Sequence, residues 1–528
     1  MSYQIYTGIW TDWSEGRVLG ATITLSSRNA GLLVAFIATF VAVIAARLWR
    51  ILSFVAHQTL AFGGEHDGLY YQRQYIFRNT TSPISAVWLF VQQAWYWRGS
   101  ADNVFPRTIP WAIFGACYVL SFGVLAVFSS EISDAATEFR LVRSADCGLF
   151  VPIDRDSLQE KSTYDNLQAS IYCRQCYENS SSASCNVLPI SSIRWTNNSV
   201  ECPFGEAVCL DVPAFQMQTG LMDSHIHLGI NEPEHNRIRY LRETVCSPLV
   251  TQPGFAESVD GAEAESLGWV DDVLFKYLYG SLLTSNYTLL YNTLGQSMQI
   301  GYSVWTYYHL AGDTNATWQP TDALALDDRD IALILIAPNS VLHIEPNNDP
   351  VFAASIERDL DSTVAFAPDR YLSPIACADR HQVCNPNNNI CTPLQGSMDI
   401  LRSSAGEDLG LNSVQLATAQ RLQFVISAST FHHTIFTRTQ SFLKAQERVS
   451  GLTQLPLPDN QWEMEMNSLF ADALSKLQHQ MLEYAAGPSG PGEVSVVKVW
   501  ENVDAPPTGR GAEVTAAFVQ MCHNQRSL

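Results

Sequence analysis

Residues Thr108–Ser130 read TIPWAIFGACYVLSFGVLAVFSS, 23 residues without a charge between Arg107 and Glu131. At about 1.5 Å of rise per residue, a helix of that length crosses a hydrocarbon core of about 30 Å. The run therefore reads as a membrane span. A further 398 residues follow it, so the orientation of this one helix decides which compartment holds most of the chain.

Toward the N-terminus, Asn29–Ala46 is another uncharged apolar stretch, closed by Arg47-Leu-Trp-Arg50 and apolar again to Val55. Arginines that snorkel and a tryptophan that prefers the interface suit the end of a span. Transmembrane helices are thus expected at 29–55 and 108–130. Residues 1–28 are polar and aromatic, without the apolar core of a cleavable signal peptide. The loop 56–107 and its borders hold Arg47, Arg50, Arg73, Arg78, Arg98 and Arg107. The tail has only Arg17 and Arg28, offset by Asp12 and Glu15, and Glu131, Asp134 and Glu138 follow the second span before Arg140. Short arginine-rich segments stay in the cytosol. The loop is therefore expected there, with the tail and residues 131–528 extracytoplasmic.

The loop has structure of its own. Ser82-Pro83 reads as an N-cap followed by proline at the first helical position. Ile84, Val87, Trp88, Val91 and Trp95 then recur at helical spacing. Such a helix either lies in the membrane interface or packs on the two spans.

Charge separates the two parts of the chain. Residues 1–130 carry eight arginines, no lysine and five acids, a net of +3, and the remainder carries −24. A domain that acidic repels phosphate backbones, which argues against nucleic-acid binding. With 528 residues, 47% of them apolar, the chain exceeds one ordinary domain and can bury a large core.

Ten of the 12 cysteines cluster beyond the second span: Cys147, Cys173, Cys176, Cys185, Cys202, Cys209, Cys246, Cys377, Cys384 and Cys391. In an oxidising compartment, an even cluster reads as a disulfide framework of up to five bridges, with Cys117, inside the span, unpaired. The same region carries glycosylation sequons at Asn179, Asn197, Asn286 and Asn315, and a fifth at Asn79 falls in the cytosolic loop and is expected bare. Arginine bias, cysteines and sequons rest on different physics and agree on a lumenal or extracellular domain.

Within that domain Ile331–Ile336 (IALILI) reads as a buried strand and Glu493–Trp500 as a half-buried one. Long helices are expected over Ser413–Val449 and from the Asp459 cap to Ala486, the latter with a core-facing stripe at Trp462, Met466, Leu469, Ala473, Leu477 and Met481. The fold class expected is a membrane-anchored α+β protein, two transmembrane helices followed by a large disulfide-rich extracytoplasmic domain.

Chemical motifs are sparse. Asp223-Ser-His225-Ile-His227 would place two histidines on one side of a strand, and with Glu234 or His235 they have the residue types of a zinc site. A catalytic zinc needs three placed ligands, and hydrogen-bonded histidines are the reading preferred here. Cys173-Arg-Gln-Cys176 has redox or zinc spacing, but in a cysteine-rich domain it reads as part of the disulfide framework. His432 and His433 are adjacent and cannot form an i, i+4 metal pair on a helix. The chain has no GxSxG, GxxxxGK[ST] or GxGxxG. No catalytic residue, cofactor or metal site is assigned.

Three stretches carry a resemblance: HDGLYYQRQYIFRNTTSPISAVWLFVQQAWYWR (His66–Arg98), CADRHQVCNPNNNICTPL (Cys377–Leu394) and LPDNQWEMEMNSLFADALSKLQHQMLEYAAGP (Leu457–Pro488). The chain resembles a family of uncharacterised filamentous-fungal membrane proteins, some encoded near secondary-metabolite genes. The resemblance implies a membrane-anchored, cysteine-rich outer domain and brings no catalytic residues. It also implies a further C-terminal span, which the residues up to Leu528 do not contain. Two functions are expected to compete. One is a membrane glycoprotein that binds, scaffolds or senses, with membrane lipid, a small apolar metabolite or a partner membrane protein as its contacts. The other is a membrane-tethered enzyme acting on an apolar secondary metabolite.

Overall fold

The computed structural model describes residues 5–134, 139–142, 149–178, 185, 188, 190–205, 207–266, 274–360, 363–400, 408–486, 490–491, 494–497 and 524–527. The chain divides into two compact units, one of Thr7–Trp10 and Thr22–Glu138, the other of Met1–Tyr6, Thr11–Ala21 and Phe139–Leu528.

The smaller unit is helical: α1 (Ser27–Thr59), α2 (Gly68–Asn79), α3 (Pro83–Trp97) and α4 (Val104–Asp134). Among the described residues two helices are long and apolar enough to cross a membrane, Ser27–Thr59 and Val104–Leu125. At 33 residues α1 is about 50 Å long, well beyond a bilayer's hydrocarbon core. Leu32, Phe36, Phe40, Val43, Ile51 and Phe54 of α1 point outward, where a water-soluble helix would be polar. Inward, Trp49, Ile76, Phe77, Ala86, Phe90, Ala112 and Tyr118 form a core, and the Tyr118 hydroxyl donates to the Ala45 carbonyl at 2.6 Å, tying α4 to α1. Asp67 starts α2 by accepting from the Tyr70 amide at 3.0 Å. It also pairs with Arg107, whose hydrogen bond lowers the carboxyl pKa to about 2.

Helix α3 packs one face on the bundle, as one of the two sequence expectations has it, and leaves the opposite face exposed. Ala86, Phe90, Gln93 and Ala94 are buried in the bundle. The periodic set Ile84, Trp88, Val91 and Trp95 stays exposed, with Trp88 at 62% and Trp95 at 64%. Pro83 does open the helix, but the Ser82 side chain makes no capping hydrogen bond.

The larger unit is mostly β. An eight-stranded sheet comprises β1 (Trp195–Val200), β2 (Ala214–Thr219), β3 (Met222–Asp223), β4 (Arg239–Pro248), β5 (Ser303–His309), β6 (Asp330–Ala337), β7 (Ser373–Asn385) and β8 (Ile390–Cys391). Its order is β5-β6-β7-β4-β2-β1, with β8 on β7 and β3 on β4, and the pairings are antiparallel. Strand β6 explains why the IALILI run is continuous rather than alternating. Ala332, Ile334 and Ile336 join one core, while Ile331, Leu333 and Leu335 join the core on the opposite face. Successive strand side chains alternate between faces, so a sheet covered on both sides is apolar at every position.

One face is covered by α6 (Ser413–Ala428), α7 (Phe431–Arg438) and α8 (Gln461–Ala486), with α5 (Arg155–Tyr172) packed on α7 and α8. The expected stripe of α8 from Trp462 to Met481 is wholly buried there. The opposite face is covered by short strands bearing Tyr277, Tyr279, Tyr291 and Trp318. The single helix expected over Ser413–Val449 is not one helix. Ser429 closes α6, and Thr430 restarts the chain as an N-cap whose side chain accepts from the His433 amide. Thr439, at φ +46°, then ends α7, and two 3-10 turns follow. Hydroxyl side chains that hydrogen-bond the local backbone favour such caps over helix interiors. The strand expected over Glu493–Trp500 is described as Val494–Val497, paired with Leu149–Pro152.

Part of the expected 1–28 tail, Thr11–Ala21, belongs to the larger unit. The Trp13 amide donates to Asn231 at 3.1 Å, Asn231 donates to the Thr11 carbonyl at 2.8 Å, and Arg237 donates to the Trp13 carbonyl at 3.0 Å.

Among the described residues four cysteine pairs lie at disulfide distance: Cys176–Cys185, Cys202–Cys209, Cys246–Cys377 and Cys384–Cys391. Cys246 and Cys377 face each other in the register of β4 and β7, and Cys384–Cys391 ties β7 to β8. Cys173 departs from the framework expected of it: it is a free, buried thiol. Burial, with Asp472 beside it, pushes its pKa up and keeps it protonated and unreactive. Cys117 is unpaired on α4. Cys147 lies outside the described residues.

Candidate functional site

The densest cluster of ionisable groups lies between the sheet and its helices. Tyr240, Arg242 and Thr244 alternate along β4, and Asp379 and His381 do so on the neighbouring β7, so all five share one face. Arg242 reaches Asp379 through Nε at 3.1 Å and Nη2 at 2.5 Å, and Thr244 donates to the same carboxylate at 2.6 Å. The remaining Nη1 donates to the Ser429 carbonyl at 3.2 Å, the group left open by the break between α6 and α7. Phe431 and Phe470 flank the guanidinium, with ring centroids at 5.6 and 5.5 Å. Burial raises the Asp379 pKa, but Arg242 and then His381 outweigh it, and the carboxylate ends below its usual value.

Beside this pair Asp330, His381 and Tyr240 stand in the order of an acid–imidazole–phenol relay. His381 Nε2 lies 3.8 Å from Asp330, and Nδ1 lies 2.8 Å from the Tyr240 hydroxyl. The group is closed to solvent among the described residues: Tyr240 is 0% exposed and His381 and Asp330 are 1% exposed. Both Asp330 oxygens are also occupied, by the Ala311 and Ser397 amides at 3.0 and 2.9 Å. Burial lowers the His381 pKa and raises those of Tyr240 and Asp330.

A second cluster joins α5 to α8. Asp165, His479 and Glu483 present ligand atoms within 4.8 Å of one another, the grouping of a metal site. Lys161 already occupies the cation position, with Nζ 2.5 Å from Asp165 and 2.9 Å from Glu483. Lys476 lies buried nearby, its pKa lowered to about 8 by burial. The Lys161 ammonium group thus bridges the two carboxylates where a metal would sit.

Asp223 ends strand β3, and the histidines of the motif lie not on a strand but in the turn Ser224–Leu228 that follows it. The His227 amide donates to the Asp223 carbonyl at 3.0 Å, and the Asp223 carboxylate accepts from the His225 and Ile226 amides. His225 Nδ1 donates to the Ile230 carbonyl at 2.9 Å, which leaves Nε2 to accept from Ser14 Oγ at 3.0 Å. His227 Nδ1 accepts from the Asp223 amide at 3.0 Å. The two rings serve different partners, while Glu234 and His235 are exposed on the 3-10 turn that follows. Among the sequons Asn197, Asn286 and Asn315 are exposed, and so is Asn79. Asn179 lies outside the described residues.

Two histidines give the domain a pH response. Burial lowers the pKa of His343 and of half-buried His432 to about 4, from an ordinary 6.5. Each is neutral when folded and takes a proton near pH 6.5 when unfolded. The stability they contribute is therefore complete above 6.5 and is lost as pH falls toward 4. Buried Glu232 and Asp349, raised to about 7 and about 6, act in the opposite sense. A variant isolates one group. His343→Gln, at a side chain buried in the β-rich unit, is expected to reduce the pH slope of unfolding free energy between pH 6 and 5 by up to about 1.4 kcal/mol per unit, one proton's worth. Urea melts at several pH values check this, and an unchanged slope would mean that His343 titrates normally.

The cavities differ sharply. In the larger unit, the pocket beside Tyr302, His343 and Arg370 encloses about 10 Å³, room for no more than one water. In the helical unit a cavity of about 200 Å³ lies among Trp49, Ser53 and Ala56 of α1, Phe77 of α2, Phe90 of α3, and Trp111 and Phe114 of α4. Sequence periodicity marked these helices but not the space between them, because a cavity depends on which side chains fail to meet. Comparison with protein families, with curated proteins and with solved structures found no match.

Proposed function

We propose that this chain is a membrane-anchored glycoprotein whose two apolar helices hold the β-rich unit on the extracytoplasmic face, where that unit binds, scaffolds or senses. The observation that carries the reading is the hydrogen bonding of Thr11, Trp13 and Ser14 to Asn231, Arg237 and His225. Residues before the first apolar helix and residues after the second fold together, so both lie on one side of the bilayer, as two crossings require. The arginines of the 56–107 loop supply the sidedness. Cysteine pairs at disulfide distance suit the oxidising side. The ionisable clusters of the β-rich unit are closed and charge-balanced, which favours a binding or scaffolding role over an enzyme. Through the resemblance to fungal proteins encoded near secondary-metabolite genes, the proposal extends to a part in that metabolism.

Sealed microsomes test it. Added protease is expected to cut the 56–107 loop and spare residues 131–528. Glycan mapping is expected to find sugar among Asn179, Asn197, Asn286 and Asn315 and none at Asn79. Asn79 has an equally good sequon and an exposed side chain, so only the compartment separates it from the others. A glycan on Asn79, or digestion of the large unit with the loop protected, overturns the topology.

A further inference from the structure

We propose that the bilayer meets this protein at Arg47, Arg50 and Arg78, which bind headgroups of anionic phospholipid in the cytosolic leaflet. Residues 108–116 then stand at headgroup depth, in a small helical bundle, and not in hydrocarbon. The inference rests on the anchoring proposal.

The register of the two apolar helices carries it. The Tyr118 hydroxyl of α4 donates to the Ala45 carbonyl of α1 at 2.6 Å. The rings of Trp49 and Phe114 stack with centroids 6.3 Å apart. A Cβ on Gly115 would come within 3.5 Å of Trp49 and 2.6 Å of Val87 on α3. The helices run antiparallel, so these contacts set Arg47 near the level of Ala116 and Arg50 near that of Ile113. Ala116 lies well inside the run that begins at Thr108, about 12 Å along the helix. Both arginines are exposed, and among the described residues neither has a carboxylate partner. An unpaired guanidinium facing lipid at that depth is strongly disfavoured. A boundary at Arg47 removes the conflict. Residues 27–46 of α1 and 117–134 of α4 remain for the crossing, about 30 and 27 Å of helix.

The same boundary accounts for the outer face of α3. Val87 meets Gly115, so Ile84 and Trp88 lie beside the boundary, where an exposed indole is at home. Phe77 packs on Trp111 with ring centroids 4.9 Å apart, which brings the adjacent Arg78 to the headgroup side. Arg78 is also exposed and without a carboxylate partner among the described residues, whereas Arg107 is paired with Asp67. Unneutralised guanidinium groups at headgroup depth select phosphate, which each can hold through paired N–H donors. The cytosolic leaflet supplies it as anionic lipid.

The experiment uses the full chain in nanodiscs of phosphatidylcholine with a minor share of phosphatidylserine. A nitroxide is placed at Ile113→Cys or at Val124→Cys, each with Cys117→Ser; both positions are exposed on α4. Collision with a nickel chelate in water, relative to oxygen in lipid, reads the depth. Nickel is expected to reach position 113 severalfold better than 124. Equal, lipid-like readings overturn the boundary with the anchor intact, whereas nickel access at both overturns the anchor as well. Native mass spectrometry then identifies the lipid retained on release. Phosphatidylserine is expected at several times its bulk share, and Arg47→Gln, Arg50→Gln and Arg78→Gln together should return it to that share. Each single change should weaken the preference by up to about fivefold. The three corresponding lysine replacements keep the charge and should keep the preference, which separates loss of charge from loss of fold. Retention at the bulk share by the unaltered chain, or unchanged retention by the glutamine variant, overturns the lipid site. So does displacement by millimolar inorganic phosphate, which would mark a site for a soluble anion.

Discussion

Asp379→Ala is expected to lower the stability of the β-rich unit by about 3–5 kcal/mol, the scale for stranding one member of a buried ion pair. The substitution leaves the Arg242 guanidinium between Phe431 and Phe470 with the Ser429 carbonyl as its hydrogen-bond acceptor among the described residues. Arg242 is 1% exposed, so water does not reach it to compensate. Replacing both partners, as Arg242→Met with Asp379→Leu, should cost less than the single change, because no charge is then left unpaired. Urea unfolding followed by tryptophan fluorescence measures both. A loss below about 1 kcal/mol for Asp379→Ala would place the pair in the range of solvent-exposed bridges and sink the buried reading.

Removing Cys246–Cys377 is the other large effect. The pair closes 131 residues, whereas Cys384–Cys391 closes only 7. Chain entropy confined by a cross-link grows with loop length, so the Cys246→Ala, Cys377→Ala variant should lose about 2–5 kcal/mol and the short pair's counterpart distinctly less. Unfolding curves in the absence of reductant compare them. Alkylation of denatured, unreduced protein should label Cys173 and Cys117 and spare the four pairs. Labelling of Cys246 would show that the long bridge is not formed.

What the sequence made legible was set by the range of each interaction. Hydrophobic period is local, and it located the apolar helices, the IALILI strand and the buried stripe of α8. It also marked the outward face of α3, although it could not say which face the bundle takes, because Ala86 and Phe90 look unremarkable until α4 is placed against them. The break at Ser429-Thr430 was missed for a related reason. Both residues fit a helical pattern, and only the arrival of Arg242 at the freed carbonyl shows why a break belongs there. The candidate sites were the least legible. The histidine motif at 223–227 suggested ligands and proved to be a turn that binds Ser14, 211 positions away. The cavity beside Trp49 has no local signature at all. The one available hint to the buried network was the presence of Arg242 and Asp379 within otherwise apolar strands.

The docking of Thr11–Ser14 sets an order on the making of this protein. These residues leave the ribosome ahead of both apolar helices, yet their partners Asn231 and Arg237 are synthesised more than 200 positions later. Between the two events the apolar helices Ser27–Thr59 and Val104–Asp134 and strands β1 to β3 are all translated. A segment made early is therefore among the last to find its place. Until then Asn231 and Arg237 lack its backbone groups, and the edge of the unit near β3 waits incomplete for a strand of chain made long before it.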